Sequence, residues 1–187
     1  MEGGGVVVFP TDTIYGLGAN AELEVAVDRV FSLKGRDYSK PISVTLSDMP
    51  ALERVARVDS RIREVLTRIL PGAFTAILPS SGTLSHISRD GKIGVRIPDH
   101  ALTRALSTDF PVTATSANPS GMPSPRRADE VSLEVDLVLD GGPTKMGIHS
   151  TVVDFTEPVP KILRTGSGDV ELLNRSLDEM GLPALKT

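Results

Sequence analysis

The chain reads as one α/β domain over residues 1–187, a twisted mixed β-sheet flanked by helices. Short apolar, β-branched runs alternate with segments of helical periodicity from one end to the other, the pattern of layered α/β proteins. No internal repeat or polar low-complexity linker interrupts that alternation. A length of 187 residues suits a single domain and allows burial of roughly 70% of the unfolded surface without disulfide or metal support.

The elements follow in order. Val6–Phe9 is a β-branched run stopped by Pro10, which predicts a buried strand. Leu23, Val27, Val30 and Phe31 recur at helical spacing, with Asn20 as the expected N-cap and Gly35 just past the end. Ile42–Leu46 reads as a strand. Ser47 is the expected cap of a helix running to about Val58, and Ser60 of another that stops before Pro71-Gly72. Strands are predicted at Phe74–Leu78, Ile93–Ile97 and Val112–Thr115, with a short helix from His100 to Ser107. A Pro/Ser-rich loop, Ser120–Arg127, precedes a short helix and strands near Leu137–Leu139, Thr151–Phe155 and Lys161–Leu163. Val170–Met180 is amphipathic, and Gly181-Leu182-Pro183 ends it. The Pro/Gly-rich breaks sit at strand ends, where α/β proteins place ligands.

Composition excludes several chemistries. With no cysteine there is no disulfide framework, thiol nucleophile or cysteine-ligated metal. A net charge of −4 argues against a generally basic nucleic-acid coat, and no apolar run approaches the roughly 18 residues of a membrane span. The start, Met1-Glu2-Gly3-Gly4-Gly5, has no basic signal region, so a cytoplasmic protein without membrane contact is expected. Aromatics make up only 4%, against 17 glycines and 14 prolines. That inventory suits anion binding by backbone amides and cations better than recognition by stacking.

Gly16-Leu17-Gly18-Ala19-Asn20-Ala21 matches a dinucleotide fingerprint, but the polar run Thr11–Tyr15 stands where that fingerprint's turn follows its strand directly. Gly142–Gly147 has P-loop spacing with Ile148 in place of the required lysine. His86, His100 and His149 are scattered, which favours surface or loop positions over a zinc site, and no G-x-S-x-G elbow occurs. What remains is a set of cations and hydroxyls in loops. Lys34-Gly35-Arg36 follows a helix end, with Lys40 four residues on; Lys34 alone would serve equally as a C-terminal complement to the helix dipole. Thr115–Gly121 and the stretch from Gly141 to Thr151 add hydroxyl and amide donors beside strands. Arg96, inside a strand, needs an anionic partner, either a ligand or Asp99. Cations and small donors converging in loops are the parts of a phosphate site that has no P-loop.

Seven stretches in this order, FPTDTIYGLGANA (9–21), FSLKGRDYSKPISV (31–44), PGAFTAIL (71–78), GKIGVRIPDH (91–100), TATSANPSGMPSP (113–125), DLVLDGGPTKMGIHSTVVDF (136–155) and KILRTG (161–166), make the chain similar to the YrdC/TsaC/Sua5 family of L-threonylcarbamoyladenylate synthases. The resemblance implies a YrdC-like fold with a concave cationic cavity, in a short form without a further C-terminal domain. It implies condensation of L-threonine, bicarbonate and ATP, with Mg²⁺ accompanying the nucleotide, to threonylcarbamoyl-AMP and pyrophosphate. That product feeds threonylcarbamoyl modification of adenosine 37 in tRNA through a downstream transferase complex. Lys34, Arg36, Ser116 and Asn118 match the family's K-x-R…S-x-N catalytic tetrad in the nucleotide cavity. The resemblance further places Lys40, Lys92, Arg126 and Arg164 beside ATP, and Thr13, Thr45, Arg96 and Ser150 around the threonine. A tRNA or double-stranded RNA is a further partner it implies, and a non-catalytic RNA-binding module is the alternative reading. Related carbamoyl-adenylating domains of hydrogenase maturation sit in long chains with zinc-finger parts, which a cysteine-free sequence does not offer. The chain departs from the family pattern at Asp37-Tyr38, where a proline is usual, and at Thr45, where many members have His. It departs again at Arg126, usually Ser or Thr, and at His149, where Glu or Pro is commoner.

Overall fold

A computed structural model of the chain describes residues 1–185. The first strand, β1 (Val7–Phe9), is completely buried, as its β-branched composition requires. After Pro10 the polar run does not lead to a phosphate loop; it reverses the chain. The Thr11 hydroxyl accepts from the amides of Thr13 (3.1 Å) and Ile14 (3.2 Å) and donates to Ile14 O (2.7 Å), closing a tight turn. The glycines of the apparent dinucleotide fingerprint therefore form a second strand, β2 (Gly16–Gly18), antiparallel to β1. They are needed for close packing: a Cβ on Gly18 would lie 1.9 Å from Thr113 O, and one on Gly16 would lie 2.9 Å from the Phe9 ring.

Helix α1 (Glu24–Lys34) ends where expected, on Gly35 at φ 55°. Its N-cap is Leu23; the Asn20 side chain instead accepts from Glu22 N (2.9 Å), one turn too early. Strand β3 is Ser43–Thr45. Helices α2 (Met49–Val55) and α3 (Ser60–Ile69) are capped by Asp48 and Asp59, one residue from or before the serines expected. In both cases a carboxylate, a charged acceptor favoured by the helix dipole, takes the amides a serine hydroxyl would have taken. Then come β4 (Phe74–Pro79), β5 (Lys92–Arg96), α4 (Ala101–Leu106) and β6 (Val112–Ser116). A single 3₁₀ turn (Ala128–Glu130) leads to β7 (Leu137–Val138), β8 (Thr151–Asp154), β9 (Lys161–Arg164) and α5 (Val170–Glu179).

The nine strands form one sheet in the order β7-β1-β2-β6-β3-β5-β4-β8-β9. The pairs β1/β7, β3/β5 and β4/β8 are parallel and the others antiparallel, so the sheet is mixed as predicted. Strand periodicity sorts the central residues to two faces. Val44, Val95, Ala76 and Leu78 belong to one continuous hydrophobic cluster with α1, α2, α3 and α5. Their neighbours along the strands are mostly polar or small, Ser43 and Thr45, Gly94 and Arg96, and Thr75, with Ile77 the apolar exception, and Ala114 and Ser116 of β6 share that face. Register sets several of these side by side, with Ser43 opposite both Gly94 and Ala114 and Thr45 opposite Arg96. That second face is the floor of a cavity. No described helix is long and apolar enough to cross a membrane.

Candidate active site

The cavity has a volume of about 350 Å³ and is open to solvent. Its floor is the small and polar face of β2, β6, β3, β5 and β4, and its walls come from the turn after β1, the segment after α1, the loop before β8 and the end of β9. Three arginines, Arg36, Arg96 and Arg164, line it, and among the described residues no aspartate or glutamate does. Of the residues singled out from sequence, Thr13, Arg36, Thr45, Arg96, Ser116, Ser150 and Arg164 share this wall.

Arg96 is 8% exposed and held from three directions. Its Nη2 donates to Asp12 Oδ1 (2.5 Å), Nη1 to Thr13 Oγ1 (2.7 Å) and Nε to Gly72 O (3.3 Å). Asp12, not Asp99, is thus its carboxylate partner; Asp99 lies 3.7 Å from Lys145 on the surface. The polar turn that brings the chain from β1 into β2 carries Asp12 under the sheet, whereas Asp99 has already left the strand. Three of five guanidinium N–H groups are used, which leaves two for a ligand. The ion pair also cancels the charge of Arg96 locally.

Lys34 does not line the cavity. It is 3% exposed and clamps the loop after β6 from behind, donating to the carbonyls of Ser116 and Asn118, the latter at 2.6 Å. Burial, reinforced by the nearby Arg36 charge, lowers its pKa from 10.5 to about 8. Arg36 and Arg164 have no carboxylate partner among the described residues. Arg36 Nη2 donates to Pro41 O (2.7 Å), and Arg164 donates to Ser150 O from Nε (3.2 Å) and Nη2 (3.1 Å). Desolvation lowers the pKa of both arginines. Lys34, Arg36 and Arg164 are therefore uncompensated positive charges about one cavity.

Asn118 is buried outside the lining, where its Nδ2 donates to Pro119 O (2.9 Å) and Met122 O (2.7 Å) and shapes the loop below the site. Lys92 is engaged elsewhere, by Asp154 (3.2 Å) and Glu157 (3.8 Å). Lys40 is exposed in the loop before β3, and Arg126 is exposed with its side chain across Gly147, where a Cβ would lie 2.7 Å from Nε. None of these three lines the cavity.

Two wall residues and one residue behind the wall escape the sequence reading. Thr75 pairs with Ser150 Oγ (2.8 Å); His149 contributes a ring half-buried in the wall; and Asp12 orients Arg96. Thr75 was legible in principle, as a polar residue at period two in an otherwise apolar strand. His149 and Asp12 meet their partners only through the fold. Two buried polar atoms of the wall, Thr45 Oγ1 and Arg36 Nε, have no hydrogen-bond partner among the described residues. Orphans of this kind are rare unless a ligand or water completes them.

Comparison with known proteins agrees with this architecture. A family model, Sua5/YciO/YrdC, described as "Telomere recombination", matches residues 1–166. The "Threonylcarbamoyl-AMP synthase" of Pyrococcus abyssi is 37% identical over 186 residues, 95% of this chain and 55% of that protein. The "Threonylcarbamoyl-AMP synthase" of Bacillus subtilis is 39% identical over 171 residues, 86% of this chain and 49% of its own. The chain thus spans about half the length of these curated relatives. The crystal structure of P. abyssi Sua5 complexed with L-threonine superposes with a TM-score of 0.87 at 34% identity, over 98% of this chain and 56% of that one.

Proposed function

The chain belongs to the Sua5/YciO/YrdC family, and from that premise we propose that it joins L-threonine, bicarbonate and ATP into threonylcarbamoyl-AMP and pyrophosphate. The observation that carries the proposal is a cavity with three arginines in its wall, Lys34 behind it and no lining carboxylate among the described residues. The reaction brings three anions together: an amino-acid carboxylate, a bicarbonate-derived carboxylate and a triphosphate. Its site needs convergent, pre-positioned positive charge more than a nucleophilic side chain.

In this reading the two free N–H groups of Arg96 take the threonine α-carboxylate, with Thr45 Oγ1, Thr13 and Ser150 around the rest of the amino acid. Arg36 and Arg164 face the phosphates, and Ser116 orients an oxygen at the reacting centre. Lys34 and Asn118 act through the loop they hold, Lys34 adding its charge from below. Lys40 and Arg126 lie on exposed loops outside the lining, and their role toward ATP requires those loops to meet the nucleotide; Lys92 would have to exchange its carboxylate partners. Mg²⁺ enters as part of the MgATP substrate, held mainly by phosphate oxygens and water. The described residues gather no group of three side chains suited to binding it. The product is a mixed anhydride that water destroys, so a tRNA-modifying transferase in the same cytoplasm is its natural consumer.

The test is pyrophosphate release with each of threonine, bicarbonate and ATP omitted in turn, together with chromatographic detection of threonylcarbamoyl-AMP. Release that depends on all three supports the proposal. ATP turnover indifferent to threonine or bicarbonate overturns it.

A further inference from the structure

His149 occupies the cavity wall in a setting that fixes both its charge and its tautomer. The chain of reasoning begins at Asn118. Its Nδ2 is spent on two carbonyls, Pro119 O and Met122 O, so its Oδ1 is the atom turned to Ser124 Oγ at 3.4 Å. That oxygen only accepts, so the Ser124 hydroxyl donates to it. The Ser124 oxygen then accepts from His149 Nε2, 3.0 Å away. A neutral imidazole with its proton on Nε2 has a bare lone pair on Nδ1. No hydrogen bond reaches that Nδ1 among the described residues.

The charges that shift the ring are positive. Burial lowers its pKa below the ordinary 6.5, and the charges of Arg164 at the end of β9, Lys34 at the end of α1 and Arg96 in β5 push the same way. Asp12 is committed to Arg96 and offsets part of that arginine's share, and no carboxylate is among the groups that shift the ring. The imidazole is therefore neutral near pH 7, in a cavity whose other polar lining side chains are arginines and hydroxyls.

We propose that His149 Nδ1 is the proton acceptor that turns the threonine ammonium into the attacking amine. This rests on the synthase reading above and names a residue where this chain departs from its family's pattern. The ammonium passes one proton to Nδ1, and the freed nitrogen lone pair attacks the bicarbonate carbon. The C–O bond to the hydroxyl breaks as the imidazolium returns its proton to that oxygen, which leaves as water. The second N–H proton of the N-carboxylated nitrogen goes to solvent. Threonine and bicarbonate thus become the N-carboxylate, water and one proton, and His149 ends neutral. The surrounding cations assist twice, by keeping the ring unprotonated and by weakening the ammonium's hold on its proton.

The test compares wild type with His149→Gln, whose amide can still donate to Ser124. At about pH 7 the variant should lose about a hundredfold in kcat, within the range of general-base contributions, with the KM for threonine within about twofold. The loss should shrink as pH rises and solvent deprotonates the amine unaided, and the wild-type acid limb below pH 6.5 should vanish from the variant. Wild-type synthesis with the same kcat and the same acid limb in the variant overturns the proposal alone. A wild type that makes no threonine-dependent product overturns the synthase reading and this proposal with it. A measurement independent of turnover is the ring ¹⁵N spectrum of the free wild-type protein. An Nε2-protonated neutral ring near pH 7 supports the proposal, and an Nδ1-protonated or charged ring refutes it.

Discussion

Lys34→Met should change how stability depends on pH. In the fold, Lys34 is almost fully covered and its pKa falls to about 8, against 10.5 for an ordinary lysine such as the unfolded chain presents. Below about pH 8 both states carry the proton, and the folded state bears the full cost of a buried ammonium beside Arg36. Between about 8 and 10.5 the unfolded chain holds a proton the folded one has released, so folding stability rises with pH. At about 1.4 kcal/mol per pH unit, the interval from about 8 to 10.5 amounts to a gain of about 3 kcal/mol. The neutral amine keeps donors for Ser116 O and Asn118 O, so the clamp survives the loss of charge. Methionine has no proton to lose and leaves both carbonyls unpaired. Urea unfolding of both proteins, at steps from about pH 7 to 10.5, gives the difference in stability with other titrating groups cancelled. That difference should widen in favour of wild type by about 3 kcal/mol across the range. A difference that stays flat with pH would refute the reasoning, because the carbonyl partners would then fully offset burial and Arg36. Activity that depends on the Lys34 charge should fall above about pH 8 in the same wild-type protein.

Three further substitutions separate binding from folding. Thr45→Val removes a buried hydroxyl that has no partner in the free protein. Thermal unfolding should show stability held or raised by about 1 kcal/mol while the KM for threonine rises about fivefold; a loss of stability would mean the hydroxyl already had a structural partner. Asp12→Ala strands the Arg96 guanidinium without its carboxylate at 8% exposure, which should cost about 3–5 kcal/mol in chemical denaturation, and a variant as stable as wild type would show the pair to be dispensable. Gly18→Ala puts a methyl 1.9 Å from the Thr113 carbonyl, so β2 must shift from β6 at a cost of about 3 kcal/mol, read as a lowered unfolding midpoint; an unchanged midpoint would sink the packing argument.

How much of this was legible in the sequence follows from what each residue's neighbours are. Strand and helix order could be read because burial imposes period two or 3.6 on the chain itself, and Gly35 ends α1 at positive φ as its position suggests. The caps of α2 and α3 were misplaced because adjacent serine and aspartate compete locally and the charged acceptor prevails. Strand β2 was hidden because its residues, Gly16-Leu17-Gly18, have low β-propensity. They are glycines because Phe9 and Thr113 crowd them, and those contacts belong to β1 and β6. The site divides the same way. Arg36, Arg164 and Arg96 announce themselves as cations near breaks or inside strands. That Arg96 pairs with Asp12 across 84 positions, or that Lys34 points to Ser116 and Asn118 across the loop, depends on sheet order.

The net charge of −4 says nothing of this cavity, and the reason is physical. What matters to a ligand is the field where it sits, and there Lys34, Arg36 and Arg164 stand without carboxylates while the chain's acidic groups lie elsewhere. Each of the three has a lowered pKa, which means that the folded protein holds its charge against desolvation and, for Lys34, against a neighbouring cation. A bound polyanion relieves both costs together. A neutral ligand of the same shape relieves neither, and a monoanion relieves them only in part. The same field that opposes folding thus favours the ligand with the most negative charge. Arg96, paired with Asp12, adds less to that field and instead offers a ligand the two N–H groups it has left. Under the proposed function, the fold divides the work of the cavity between charge toward the phosphates and directed hydrogen bonds toward the amino acid. The paired central strands β3 and β5 set Thr45 and Arg96 opposite one another, which fixes the relative position of the donors on which the second of these depends.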